Sequence, residues 1–330
     1  MIIREVRFED YEEIRDLAEK FNINVYSKNN WEDIWKNNPY LKNENKNWII
    51  GWVLENNNKI VGHLGNIPTQ YIYDQKKYTG SIISCWVVEP EYRLHSIRLI
   101  KEYHAQPGVD FFLATTSNFK TAKALKAFGW QNMPQDEYDN KLNIIIDFQY
   151  VYNSYILRRF KKNNIFFKII YKCLSLFLYK KINYWKKFEI NEKFEIYKKF
   201  DDRFDEFWEK IKTENRSKFL FNRSSKWINW HLNNKIQENE SLILALKENE
   251  KIVGYAICVN KYDSRVNMKK AVLVDLMLLE KKEQFSLDLI LSCLKESRKS
   301  NCHLFQMVGF DEKKRKFMYK LSPFSRRNKF

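Results

Sequence analysis

"WVVEPEYRLHSIRLI", from Trp86 to Ile100, joins the end of one apolar run to the start of another. The residues Ile82-Ile83-Ser84-Cys85-Trp86-Val87-Val88 read as a buried strand. Pro90 ends that strand, and after Ser96 the apolar spacing of Ile97, Leu99 and Ile100 turns helical. The first N–H groups of a helix lack intrahelical acceptors, so a strand, a turn and a helix amino end together make an anion cradle. Such cradles rely on glycine, which lets backbone approach a phosphate closely. No glycine occurs between Trp86 and Ile100, which leaves open whether a phosphate still fits.

The surroundings of this stretch occur twice. "NNNKIVGHL" (Asn56 to Leu64) is matched by "ENEKIVGYA" (Glu248 to Ala256), and each follows an apolar strand, "WIIGWVL" or "SLILALK". Each therefore reads as the second strand of a hairpin. A further apolar strand follows in both places, "GSIISCWVV" and "KKAVLVDLMLL", and then a helical pattern. Gly62 aligns with Gly254. A repeat of this length is a duplicated domain, since solenoid units are much shorter. Both halves also open on a helical spacing, Tyr11, Ile14, Leu17, Ala18 and Phe21 in one, Phe204, Phe207, Trp208 and Ile211 in the other. The expected fold class is α+β, with tandem domains that each hold a mixed, mostly antiparallel sheet flanked by helices. The expected division is a first domain at 1–150, a connector at 151–187 and a second domain at 188–330.

The connector is "NNIFFKIIYKCLSLFLYKKINYWKK", Asn163 to Lys187. On a helical wheel Lys168, Lys172, Ser175 and Tyr179 share a narrow stripe, and Ile165, Phe166, Ile169, Ile170, Cys173, Leu174, Leu176 and Phe177 fill most of the rest. The apolar run is shorter than the ~20 residues that span a bilayer. Two readings stay open. The helix packs between the domains, or it lies in a membrane interface with Lys180, Lys181, Lys186 and Lys187 against anionic headgroups.

At 330 residues the chain has room for two cores, and its 44% hydrophobic, 30% charged composition is that of a globular protein. The formal net charge of +17 attracts polyanions. No zinc finger, RNA-recognition signature or compact arginine block accompanies it, so nucleic acid ranks behind a small-molecule or membrane-surface role. Five scattered cysteines without a CxxC pair fit reduced structural thiols, and no metal site is expected from their spacing. The amino terminus, with acidic residues at once and no apolar core, does not read as a signal peptide. A cytoplasmic protein is expected, placed by the connector at the inner face of the membrane if that helix meets lipid.

The stretch from Trp86 to Ile100 resembles the acyl-CoA-binding segment of the GNAT superfamily of N-acyltransferases. There a strand ending in hydrophobic-x-Pro-x-Tyr-Arg leads into Arg-x-x-Gly-x-Gly/Ala and a helix. Tyr92 and Arg93 stand where the pattern wants them. "TTSNFKTAKALKAFGWQ" resembles a later segment of the family, an Asn-led helix closing on Gly-aromatic, with Asn118, Gly129 and Trp130 in register. The whole layout, including "DEFWEKI", "KWINWHL" and "IVGYAI", resembles tandem GNAT proteins of bacterial surface-polysaccharide gene clusters. The resemblance implies an N-acyltransferase that moves an acyl group, acetyl above all, from acyl-CoA to an amine, on an amino sugar or its nucleotide- or lipid-linked form. Acyl-carrier protein is an alternative donor. It also implies that Val87, Val88, Arg93, Leu94, His95, Ser96, Ile97, Arg98 and Asn118 bind the donor. The two glycine positions are Ser96 and Arg98 here, and the tyrosine that often protonates the leaving thiolate is Leu125. Two rivals stay in view: an aminoacyl-tRNA-dependent transferase of the Fem type, with tRNA as its partner, which the high basic charge suits, and a non-catalytic scaffold of the same fold, which these departures support.

Amide formation needs a neutral amine, donors to the carbonyl and a base for the released proton. Glu89, just past the strand end, is the first candidate base; its bland reading is a solvated turn carboxylate. His63 ends the hairpin motif and is the second, against the commoner role of a structural strand histidine. Tyr138 is a candidate proton donor, and Cys85 reads as a core thiol. In the second half Asp275 lies inside the apolar strand "AVLVDLMLL", where a carboxylate is costly unless paired; it is a candidate acceptor-binding residue. "LLEKKEQFSLDLIL" lacks glycine and the Tyr-Arg pair, so one donor site is expected in the chain, not two.

Overall fold

The computed structural model describes residues 1–23, 25–43, 47–133, 140–160, 165–190, 192–238 and 240–327. In chain order these form β1 (Ile2–Glu5), α1 (Tyr11–Glu19), α2 (Lys28–Lys36), α3 (Pro39–Asn43), β2 (Gly51–Asn56), β3 (Lys59–Tyr73), β4 (Lys76–Val88), α4 (Ser96–Ala105), β5 (Phe111–Leu113) and α5 (Phe119–Ala127). They continue with β6 (Asn140–Ile145), α6 (Phe148–Phe160), α7 (Ile165–Ile182), β7 (Phe194–Tyr197), α8 (Asp202–Glu214), β8 (Leu220–Phe221) and α9 (Ser225–Gln237). The last set is β9 (Ser241–Glu248), β10 (Lys251–Asp263), β11 (Met268–Leu278), α10 (Ser286–Lys299), β12 (Leu304–Met307), α11 (Glu312–Tyr319) and β13 (Phe324–Arg327). The fold is α+β, two mixed sheets flanked by helices.

The chain forms two compact units. The first holds Met1–Leu125 and Asn215–His231. Its sheet runs β1-β2-β3-β4-β5, with β8 paired to β3; only β4 and β5 are parallel. Asn57 and Asn58 close the β2–β3 hairpin with φ of 50° and 61°, the left-handed pair that two-residue hairpin turns require. Side chains alternate across the sheet. Val53 joins Tyr11, Ile14 and Leu17 of α1 in one apolar cluster, whereas Trp52 meets Tyr103 of α4 edge-on. Leu99 and Ile100 of α4 are fully buried, worth ~1.5–3 kcal/mol each. The strand-to-helix stretch is thereby pinned at both ends.

The second unit holds Lys126–Glu214 and Leu232–Phe330. Its sheet runs β13-β6-β12-β11-β10-β9-β7, again with one parallel pair, β11 and β12. The β9–β10 turn repeats the earlier one: Asn249 and Glu250 have φ of 48° and 62°. Gly62 pairs with Val88, and Gly254 with Leu278. A Cβ on Gly62 would lie 3.1–3.2 Å from Leu54 and Val88, and one on Gly254 2.8 Å from Leu278. Both glycines are there because the next strand's side chain crosses over them. The strand ends agree too, with Glu89 N–H donating to Val61 O at 2.9 Å and Leu279 N–H to Val253 O at 3.1 Å. The duplication read from the hairpins is a structural one.

The packing units interleave along the sequence. β6 lies between β12 and β13 in the second sheet, and β8 extends the first. This is a different cut from 1–150, 151–187 and 188–330, which describes successive sequence segments. The connector is helical over Ile165–Ile182, but its apolar stripe is not packed away. Ile169, Leu176 and Phe177 are 58%, 75% and 85% exposed, and Cys173 is exposed beside them. Among the described side chains, Ile182 and Trp185 at and just past its carboxyl end are buried. Among the described residues no helix is long and apolar enough to cross a membrane.

Candidate functional site

β4 carries the site because it loses a neighbour halfway along. Among the described residues it pairs with β5 only at Gly80, Ser81 and Ile82; from Ile83 to Val88 it keeps β3 on one side and has no described strand on the other. Backbone groups on that open edge are available to an added extended chain. The edge also bends. His63 pairs with Val87 but Gly65 with Ser84, so β4 holds an extra residue there, and Cys85 has φ of +46°. A left-handed non-glycine residue at a bulge stores strain and re-aims the strand beyond it.

Past Val88 the short turn expected from sequence takes a 3-10 form. Pro90–His95 forms a 3-10 turn that runs straight into α4. The Tyr92 N–H donates to Glu89 O at 2.9 Å and the Ser96 N–H to Arg93 O. Ser96 Oγ also donates to Arg93 O, at 2.6 Å. The amino end of α4 therefore keeps fewer free N–H groups than a bare helix start, because the tighter turn consumes them. Its charge lies on side chains instead: Arg93 and Arg98 are exposed, His95 is half-buried, and Leu94 and Ile97 present apolar surface between them. A guanidinium pair suits a pyrophosphate, since Arg binds phosphate oxygens in a planar fork.

Val87, Val88, Glu89 and Arg93 to Arg98 thus lie along one continuous edge. Glu89 is only 17% exposed at its side chain and pairs with Lys20 Nζ at 2.7 Å. Lys20 follows α1, and no local pattern in the sequence links it to Glu89. Tyr92 Oη accepts from Asn56 Nδ2 at 3.2 Å, a second link that the sequence did not suggest. His63 is beneath the sheet surface, 1% exposed, and its Nδ1–H donates to Cys85 O at 2.9 Å. Among the described residues its buried Nε2 has no hydrogen-bond partner, and burial pushes its pKa down to about 4. That imidazole is neutral and sealed, not poised near neutral pH. The Cys85 thiol is pushed up to about 11 by burial, which agrees with a core thiol.

Asn118 caps α5, its Oδ1 accepting from Thr121 N at 3.0 Å. Tyr138 lies outside the described residues. Asp275 is paired and half-buried: Tyr255 Oη donates to Oδ2 at 2.8 Å, and the Leu276 N–H reaches Oδ1 at 3.1 Å. Tyr255 and Asp275 stand in the second sheet where His63 and Cys85 stand in the first. The matching strand there also outruns its parallel neighbour and enters a 3-10 turn, Glu280–Phe285, before α10. Its charge is reversed, with Glu283 and Asp288 at the positions of Arg93 and Arg98. Among the described residues no group of His, Cys, Asp or Glu has a metal-binding arrangement.

No protein-family model and no curated protein matches the sequence. Solved structures do match the whole fold. A conserved protein of unknown function from Enterococcus faecalis V583, described as a probable N-acyltransferase, superposes with a TM-score of 0.58 at 12% identity, over 98% of this chain and 69% of its own. Saccharomyces cerevisiae N-myristoyltransferase with bound myristoyl-CoA gives 0.57 at 11%, over 97% and 79%. A GCN5-related N-acetyltransferase from Anabaena variabilis ATCC 29413 gives 0.54 at 12%, over 94% and 67%. With its duplicated sheets, splayed strands and strand-turn-helix stretches, this chain has the fold of the GNAT-type N-acyltransferases.

Proposed function

We propose that the chain is an N-acyltransferase that moves an acyl group, acetyl in its simplest form, from acyl-CoA to the amine of an amino sugar in surface-glycan synthesis. The observation that carries the reading is the open edge of β4 from Ile83 to Val88, which leads directly to Arg93 and Arg98. An amide-bearing arm adds to that edge as a strand would, and its pyrophosphate meets the two guanidinium groups. Ser96 keeps the helix end uncrowded. Glu89, oriented by Lys20, takes the proton released by the attacking amine. Support for the acyl donor comes from the neighbours of the same fold, one of which holds myristoyl-CoA. The amino-sugar acceptor rests on the likeness of the tandem layout to surface-polysaccharide proteins, with Asp275 on the acceptor side.

Titration calorimetry with acetyl-CoA, longer acyl-CoAs and acyl-carrier protein tests this. One donor should bind per chain, because the second unit presents Glu283 and Asp288 where the first presents arginines. Two per chain would overturn the single-site reading. Binding of charged tRNA instead of any acyl donor would favour aminoacyl transfer, and binding of neither would leave a scaffold.

Peripheral membrane contact through α7 belongs to the same reading. Its exposed Ile169, Cys173, Leu176 and Phe177 form one helical stripe, with Lys180 and Lys181 exposed at its end. Leu176→Asp with Phe177→Asp should cut sedimentation with phosphatidylglycerol vesicles at least tenfold without lowering the Tm, since both positions are exposed. Wild-type protein that stays in the supernatant at low salt would remove the membrane from the proposal.

A further inference from the structure

A second basic site lies within the other unit. A cavity of about 500 Å³ opens between the carboxyl-terminal half of α7, the amino end of α6 and the connection from α10 to β12. Lys186, Arg298 and His303 line it, and Asp147 is the carboxylate among its lining residues. We infer that this cavity binds a phosphate group, independently of the acyl-transfer reading.

Cationic side chains outnumber carboxylates in this lining. Asp147 Oδ1 accepts from Tyr150 N at 2.9 Å, capping α6, and its charge offsets only one of the two cations. Among the described residues neither Lys186 nor Arg298 forms an ion pair with a carboxylate; Lys186 Nζ donates to the Asn183 side chain. Partial desolvation, and then the nearby charge of Arg298, lower the pKa of the Lys186 ammonium, so the two cations face the same space. His303 adds a fixed donor. Its Nδ1 accepts from Lys269 N at 3.2 Å, which leaves the hydrogen on Nε2 when the ring is neutral. Stacking on Tyr150, with ring centroids 3.5 Å apart, holds the ring plane. An ammonium, a guanidinium and an imidazole N–H around one concavity form a donor set for a tetrahedral oxyanion. The volume leaves room for a phosphate carried on a larger body, either a soluble phosphate ester or a lipid headgroup delivered beside α7.

The test compares wild-type full-length protein with Lys186→Gln/Arg298→Gln. Both side chains are exposed, so the melting curve should not change; Lys186→Arg/Arg298→Lys should restore binding if the charges matter. Titration of inorganic pyrophosphate at low salt should lose one set of sites, or weaken it at least tenfold, in the Gln variant. Subtracting the two isotherms isolates this cavity from any anion held near Arg93. In parallel, vesicles containing phosphatidic acid are set against pure phosphatidylcholine. A pyrophosphate difference without a vesicle difference assigns a soluble phosphate. A vesicle difference specific to phosphatidic acid, beyond that produced by Lys180→Gln/Lys187→Gln, assigns a lipid phosphate. Identical isotherms and identical vesicle partition for wild type and the Gln variant would overturn the inference.

Discussion

Ser96→Glu should raise the Kd for acetyl-CoA by at least 100-fold, equivalent to ~2.7 kcal/mol of lost binding. Ser96 is the first residue of α4 and lies between Arg93 and Arg98 in the sequence. A carboxylate there neutralises the two guanidinium groups and repels the donor's pyrophosphate at close range. The fold should be unaffected, because a negative charge in the first turn of a helix is favourable, by ~0.3–1 kcal/mol. The variant is therefore expected to melt normally and yet fail to bind donor. Ser96→Ala is the control: it removes the 2.6 Å hydrogen bond to Arg93 O but adds no charge, so binding should fall less than tenfold. Unchanged affinity of Ser96→Glu for every acyl donor would disconnect α4 from donor binding.

Glu89→Gln should lower kcat by ~10²–10⁴-fold with acetyl-CoA and an amino-sugar acceptor, the usual span for loss of a general base. The KM for the donor should hardly move, since Glu89 is assigned to the proton and not to the pyrophosphate. Lys20→Ala should give a smaller fall, as it removes the partner that fixes the carboxylate at 2.7 Å. His63→Gln separates the two candidate bases by a different readout. With its pKa near 4 in the folded protein, against 6.5 ordinarily, His63 stays neutral where the unfolded chain takes up a proton. Stability therefore falls as pH drops from 6.5 towards 4, by roughly 3 kcal/mol for the full shift. His63→Gln should flatten that acid limb of Tm while leaving kcat within a few-fold. If Glu89→Gln retains full activity and His63→Gln abolishes it, the assignment of the base reverses.

Short-range pattern was enough for much of this molecule. Two-residue turns at Asn57-Asn58 and Asn249-Glu250, flanked by apolar strands, specify the two hairpins, because left-handed φ and strand twist leave few alternatives. The helices with Tyr11, Ile14 and Leu17, and with Phe204, Phe207 and Trp208, follow from spacing and are buried on those faces. The strand-to-helix stretch after Val88 was legible from Pro90 and Ser96, as was the core role of Cys85. What depended on partners was not. Nothing in Asn140–Ile145 says that it pairs with β12 and β13, since a short strand is compatible with any edge whose exposed face matches. Lys20 reaches Glu89 only because α1 packs on the sheet beside the end of β4. The 3-10 form of the turn at Pro90–His95, repeated at Glu280–Phe285, was likewise not legible from Pro90 and Ser96 alone. The apolar stripe of α7 is the sharpest case. Its periodicity was plain, and a packed helix and a surface helix share that pattern; only the finished fold shows that, among the described residues, Leu176 and Phe177 stay largely exposed. Periodicity records which residues prefer to leave water, and tertiary packing decides which of them find something to pack against.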